Sequence, residues 1–187
     1  MSKPNRVAEQ DISHFNTTTI VGWVDVFSRK NYRDVIVESL NFCSEKKGLQ
    51  IRVWVIMSNH IHLIARDAGS NLSGIIRDFK SFTAGKILNL IQTEPESRRE
   101  WMMIVFGYHG KGSRNNEHFQ FWQPYHAETL RTAKFTLQKI NYLHHNPVRN
   151  GLVANPEDYL YSSARDYAGT AGLVKLQMFE PIDLYEL

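Results

Sequence analysis

The chain carries one cysteine, Cys43, in 187 residues. That excludes an internal disulfide, and its neighbours Leu40, Phe42 and Ser44 make it a small buried apolar side chain in a reducing compartment. No run of about eighteen apolar residues occurs, so no membrane-crossing helix is expected. The first residues, Met1 to Arg6, are polar and lead into no apolar stretch, so no secretory leader is expected either. Charge of neither sign dominates: 22 Lys and Arg stand against 19 Asp and Glu, a net charge of +3. With a pI of about 9.0, that excess suits a polyanionic partner without requiring one. Internal repeats and low-complexity tracts are missing. The 42% hydrophobic and 22% charged content is that of an ordinary globular protein, which excludes a disordered or fibrous chain. The expected compartment is the cytoplasm.

What the sequence does contain is a clear alternation of strand and helix patterns. Phe15 to Phe27 is rich in Thr, Val, Ile and Trp and reads as a strand with its exit at Gly22. Ser28 is placed to cap a helix in which Tyr32, Val35, Ile36, Leu40 and Cys43 recur every three or four residues, with Gly48 as its stop. Ile51–Met57 and His60–Arg66 are apolar runs parted by Ser58 and Asn59, a hairpin pattern. Ser70 or Asn71 opens a second amphipathic helix through Leu72, Ile75, Ile76, Phe79, Thr83, Ile87 and Leu90. Residues 92–116 change texture and read as an insertion or elaborated loop with a mobile tip. His118–Trp122 resumes an aromatic strand pattern. Glu128 or Thr129 then begins a third helix with Phe135, Leu137, Ile140 and Leu143, which Pro147 should end or bend at Asn146. This order predicts an α+β fold: a ferredoxin-like antiparallel sheet of split βαβ type, with helices on one face and an additional helix carrying a tyrosine. One domain over 1–170 and a C-terminal tail over 171–187 are expected.

Two short phrases carry the chemistry. In Ser58-Asn59-His60-Ile61-His62, strand alternation puts His60 and His62 on one face, roughly 7 Å apart along the strand. Two imidazoles so placed can converge on one ion, although His-x-His on an apolar strand is also a common structural pair. In Tyr142-Leu143-His144-His145-Asn146-Pro147, helical spacing puts Tyr142 and Asn146 one turn apart on one face. The phenol could serve as a nucleophile and the carboxamide oxygen as a third metal ligand. A core tyrosine and a capping asparagine are the plainer alternatives.

Val53 to Ile64, Phe121-Trp122-Gln123, Tyr142 to Val153, and Asp158-Tyr159 with Ser162-Ser163 together resemble the single-tyrosine HUH transposases, and among them the REP-associated tyrosine transposases. The resemblance runs from about His14 to Tyr167. Ser58 stands where that family commonly has Pro, and Asn150 where it commonly has Ala. The resemblance implies that His60, His62 and Asn146 hold a divalent cation, Mg²⁺ or Mn²⁺, and that Tyr142 is the nucleophile. It implies single-stranded DNA with a hairpin or repeat sequence as the substrate, a 5′-phosphotyrosine intermediate, and rejoining without ATP. The protein would then be a transposase, nicking and joining DNA and nucleoid-associated when bound to it, with a homodimer left open.

Arg77, Lys80, Lys86, Lys111, Arg114, Lys134, Lys139 and Arg149 are the candidate phosphate contacts. His144 and His145 adjoin the nucleophile and are read as structural or DNA-facing. Two other readings remain at this level: a non-catalytic single-stranded nucleic-acid binder on the same sheet, and a replication initiator or relaxase-like nuclease.

Overall fold

The structure is a computed structural model, and it describes residues 12–67, 69, 71–111 and 119–179. Their elements run β1 (His14–Thr19), α1 (Lys30–Lys47), β2 (Leu49–Ile56), β3 (His60–Asp67), α2 (Leu72–Thr93), α3 (Arg99–Gly110), β4 (His126–Thr129), α4 (Ala133–Arg149) and the short α5 (Ala164–Tyr167). The four strands form one sheet in the order β2-β3-β1-β4, and all three pairings are antiparallel. This is the split βαβ arrangement: β3 lies between β1 and β2, which α1 connects.

The alternation of β3 decides what lies on each side of the sheet. Ile61, Leu63 and Ala65 join the larger core, built with Tyr32, Ile36 and Leu40 of α1 and Leu72, Ile76 and Ile87 of α2. Ile64 turns to the other face, where Phe15, Val53, Val55 and Met57 pack against Ile140 and Leu143 of α4. The expected additional helix therefore covers the second face of the sheet, opposite α1 and α2.

β2 lines both cores by alternation, and a bulge that shifts its register between Ile51 and Val53 changes which alternate residues face each. Leu49 and Ile51 face the larger core before the bulge, and Trp54 and Ile56 do so after it. Val53 and Val55 are thereby turned towards α4. The free edge of β2 is covered by the segment after α4: Ile56 N donates to Tyr161 O (2.9 Å) and Ser163 N to Trp54 O (3.0 Å). Such a cover removes a template for unwanted pairing.

Five expectations need correction. Residues 92–111 are not an irregular loop: Arg99–Gly110 is a helix, with Met102 and Phe106 in the larger core, and the remainder of the expected insertion, 112–116, lies outside the described residues. The start of that helix was obscured by Pro95 and the charged run at Arg98–Glu100. His118 lies outside the described residues, and of the rest of the expected aromatic strand only Trp122 forms a bridge, to Ile20. Phe121 and Trp122 are aromatic because they are buried. Glu128 and Thr129 do not begin a helix but close β4 against β1; the helix begins later, where the Thr132 side chain accepts from Phe135 N (3.3 Å). Ser28 does not cap α1, since its hydroxyl donates to Asp25 O (2.9 Å).

Pro147 does not end α4 at Asn146. The helix runs on to Arg149 and closes at Gly151, whose φ of +68° permits Leu152 N to reach Pro147 O and Gly151 N to reach Val148 O, both 2.9 Å. That left-handed closure satisfies the terminal carbonyls of Pro147 and Val148. Gly48 ends α1 as expected, with φ +77°. The described part of the 171–187 tail is tied down, with Gln177 N donating to Ile51 O (2.8 Å) and Arg52 Nη1 to Met178 O (2.9 Å). Among the described residues no helix is long and apolar enough to cross a membrane.

Candidate active site

Antiparallel pairing sets Thr17 opposite His62 and Thr19 opposite His60. Paired residues share a face, with Cβ atoms about 5 Å apart. The Thr17 hydroxyl is accordingly 2.9 Å from His62 Nδ1. On the neighbouring imidazole, His60 Nδ1 lies 2.7 Å from the carboxamide oxygen of Asn59. Each ring is thus held through Nδ1, which leaves Nε2 as the outward nitrogen. The two rings meet edge to face, 4.7 Å between centroids.

His62 is 4% exposed, and its Nε2 is buried with no hydrogen-bond partner. Burial, helped by the nearby His60 and Lys139, pushes its pKa down to about 3. Burial lowers that of His60 as well. Both imidazoles are therefore neutral near pH 7, the form with a lone pair to offer.

α4 brings the tyrosine to them within the same chain. Tyr142 stands 5.3 Å from His62 between ring centroids and 6.2 Å from Phe15, while the Arg149 guanidinium lies over its ring at 4.9 Å. Lys139, Tyr142, Asn146 and Arg149 follow one another at three- and four-residue spacing, which makes one stripe of the helix. Lys139 pairs with Glu128 of β4 (2.9 Å) and sits over the Phe15 ring at 4.2 Å.

These residues enclose a cavity of about 470 Å³ lined by Phe15, Thr17, Trp23, His60, His62, Lys139 and Tyr142, among others, a size suited to a small ligand or one nucleotide unit. Tyr142 also lines a second cavity of about 480 Å³, with Gln138, Asn141, His145 and Arg149. The phenol therefore stands between two hollows. A further groove of about 390 Å³ lies between α1 and α2, on the opposite side of the sheet. Its one cation, Lys47, is already paired with Asp78 at 2.7 Å.

Asn146 is buried one turn beyond Tyr142 and does not line the 470 Å³ cavity. Its Oδ1 accepts from Asn150 Nδ2 (3.3 Å), while its own Nδ2 has no partner. Among the described residues no group of three His, Cys, Asp or Glu could hold a metal.

The expected phosphate contacts divide. Lys139 and Arg149 adjoin Tyr142, whereas Lys86, Lys111 and Lys134 are exposed away from the 470 Å³ cavity. Arg77 is paired with Asp78 (3.0 Å). Lys80 donates to Gln123 O (2.8 Å) and faces the Tyr125 ring; burial pushes its pKa down to about 8. It braces the crossover into β4. Arg114 lies outside the described residues. Sequence reasoning missed Thr17, Phe15, Trp23, Asn59 and Glu128. Asn59 alone stood inside a motif; the others meet the histidines only through strand pairing and loop closure.

Trp23 is the most unusual of these. It is 62% exposed, its φ is +55°, and it meets His60 edge to face at 6.4 Å. A left-handed backbone at a bulky residue costs about 1–3 kcal/mol.

Two residues after Tyr142, His144 is structural. Its Nε2 is 2.9 Å from Ser163 Oγ, which also accepts from Trp54 N (3.0 Å). Burial, with His145 close by, pushes its pKa from 6.5 to about 4. A folded-state value below the unfolded one means that stability is full above about pH 6.5 and is lost as pH falls towards 4. His62 acts in the same sense. The expected slope is up to about 1.4 kcal/mol per pH unit for each of the two histidines. Urea midpoints at pH 7 and pH 5 will read it, and His144→Gln should flatten the dependence by roughly half; an unchanged slope in that variant would exclude His144 as a source.

No protein-family model matches the chain, and no curated protein matches it. Among solved structures, that of a REP-associated tyrosine transposase bound to a REP hairpin matches with a TM-score of 0.57 and 20% sequence identity, covering 94% of this chain and 91% of that one. At that identity the likeness establishes a shared fold over nearly the whole chain.

Proposed function

We propose that the protein is a nuclease and strand transferase that nicks and rejoins single-stranded DNA through Tyr142, on strands bearing a hairpin or repeat. The observation that carries this reading is the convergence of Tyr142, on a helix, with the His60 and His62 pair, on a strand some eighty residues earlier, in one cavity. The fold shared with a transposase bound to a hairpin supports it.

The residues present fit a divalent cation. His62 has its Nδ1 tied to Thr17 and its Nε2 without a partner; His60 has its Nδ1 tied to Asn59. Asn146 would contribute its Oδ1, which here accepts from Asn150 Nδ2 at 3.3 Å. His60, His62 and Asn146 would hold Mg²⁺ or Mn²⁺, which supplies Lewis-acid neutralisation of the phosphate charge.

The remaining work falls to side chains of this chain. Tyr142 attacks the phosphorus; its phenolic O–H bond breaks, an O–P bond forms, and the bond from phosphorus to the 3′ oxygen breaks. The departing oxygen takes up a proton to become a 3′-OH. One phosphodiester replaces another, so the step reverses without an energy source. Lys139 and Arg149 flank the phenol and favour an anionic strand on the Tyr142 stripe. Phe15 and His62, themselves stacked, both meet the tyrosine ring edge to face from the sheet side, which limits its approach directions. The hollow formed by Gln138, Asn141, His145 and Arg149 offers the strand a path to the phenol.

The test is a labelled hairpin-bearing single strand incubated with Mg²⁺ or Mn²⁺. The expected product is an SDS-resistant protein–DNA adduct whose labelled peptide contains Tyr142, suppressed by EDTA. A protein that binds such strands yet forms no adduct with either metal would be a binder and not an enzyme.

A further inference from the structure

We propose that Trp23 is a positioning residue on which the nucleobase beside the scissile phosphate stacks, so that it helps select which internucleotide bond meets Tyr142. This rests on the strand-cleavage reading above and adds to it a residue outside the ligand and nucleophile set.

The indole is 62% exposed and yet lines the same cavity as His60, His62 and Tyr142. Its plane is inclined at 71° to the His60 ring, so the two rings do not stack on each other and the indole face is not spent on the imidazole. Unpaired bases offer π faces, and stacking on an aromatic side chain is a sequence-tolerant way to hold them.

The turn that presents the indole is built for the purpose. Gly22 and Trp23 both have positive φ, +62° and +55°. A Cβ at Gly22 would lie 2.8 Å from Val105 Cγ1, so α3 packs against the turn too closely for another residue. Val21 N donates to Phe121 O (3.0 Å) and Trp23 N to Ile20 O (3.2 Å). Asn59 then links the turn to the site: its Nδ2 donates to Trp23 O (3.3 Å), while its Oδ1 lies 2.7 Å from His60 Nδ1. One carboxamide thus sets the indole and the first imidazole relative to each other. An incidental surface tryptophan would have no need of a left-handed backbone held from three sides.

The test uses a hairpin whose single-stranded flanks are 5-iododeoxyuridine, bound by protein carrying Tyr142→Phe and irradiated in the near ultraviolet. Peptide mapping is expected to find the crosslink at Trp23. In the same background Trp23→Gly, which suits a positive φ, should melt at or above the parent temperature. It should also lose the crosslink and bind the strand about 5- to 150-fold more weakly. Trp101→Leu, which removes an exposed indole of α3 outside the cavity, should change neither. With Tyr142 intact, Trp23→Gly should spread nicks over neighbouring bonds. Parent-like affinity, crosslinking and nick position in Trp23→Gly, in a protein that still cleaves, would overturn the stacking role alone. A parent that bound no strand and formed no adduct would overturn the strand-cleavage reading, and this inference with it.

Discussion

Tyr142→Phe is expected to abolish the covalent adduct and to lower strand cleavage by roughly 10⁶-fold, the scale seen when a nucleophile is removed. Fold and strand affinity should survive. Tyr142 is 38% exposed, and phenylalanine keeps its ring contacts to His62 and Phe15 and the guanidinium of Arg149 over its face. Only the hydroxyl goes. A gel assay for the adduct, run beside a thermal melt and a binding titration, separates the outcomes. An adduct persisting in the phenylalanine variant would place the nucleophile elsewhere, and a collapse of melting temperature would make the loss uninformative about chemistry.

The second large effect concerns the fold around the site. Glu96→Gln should lower stability by about 2–4 kcal/mol, or roughly 5–15 °C in melting temperature for a chain of this size. The Glu96 side chain is 0% exposed and takes Arg29 Nε at 3.1 Å and Arg98 Nε at 3.1 Å, with the Tyr32 hydroxyl at 3.2 Å. Arg98 also donates to Asp25 O (3.0 Å). The carboxylate therefore pins the start of α3 to α1 and to the loop that follows Trp23. A carboxamide in its place would aim an N–H group at guanidinium donors. The lower end of a buried-pair penalty applies because both arginines are partly in water.

Acid should uncover the same contact. Burial opposes ionisation of Glu96, but hydrogen bonds from Arg98 and the charges of Arg98 and Arg29 outweigh it and bring its pKa from 4.5 down to about 2. Its contribution is present above about pH 4.5 and is lost as pH falls towards 2. Melts at pH 7 and pH 3 should draw parent and Glu96→Gln together at the lower pH. A gap of equal size at both would show that the charge is not what stabilises.

Much of this was legible in the chain because the periodicities are strong. Leu72, Ile75, Ile76, Phe79, Thr83 and Ile87 are all buried on α2, as their spacing required, and the break at Ser58 and Asn59 separates β2 from β3. The common face of His60 and His62 followed from alternation, and Tyr142 with Asn146 from helical pitch. What stayed hidden depends on partners remote in sequence. Thr17 has no local mark; it matters because β1 pairs with β3 in one register and not the next. β4 is four residues long and half exposed, so neither length nor alternation advertised it. Burial of Glu96 among arginines could not be read from a stretch in which every neighbour is polar or proline. Asn146 remains the part of the site where helical spacing and packing agree least, since it shares the Tyr142 stripe but not its cavity.

The bulge in β2 bears on how this chain can change its length. Leu49 and Ile51 keep one beat and Trp54 and Ile56 the other, with the change of beat absorbed at Arg52. A residue gained or lost before Val53 can be taken up by deepening or erasing that irregularity, leaving Val55 opposite His62. The same event between Val53 and Met57 would swing Trp54 onto the α4 side and displace the partners of both histidines. Freedom to insert or delete is thus confined to the first half of the strand, and the half beside the histidines is held to a fixed count.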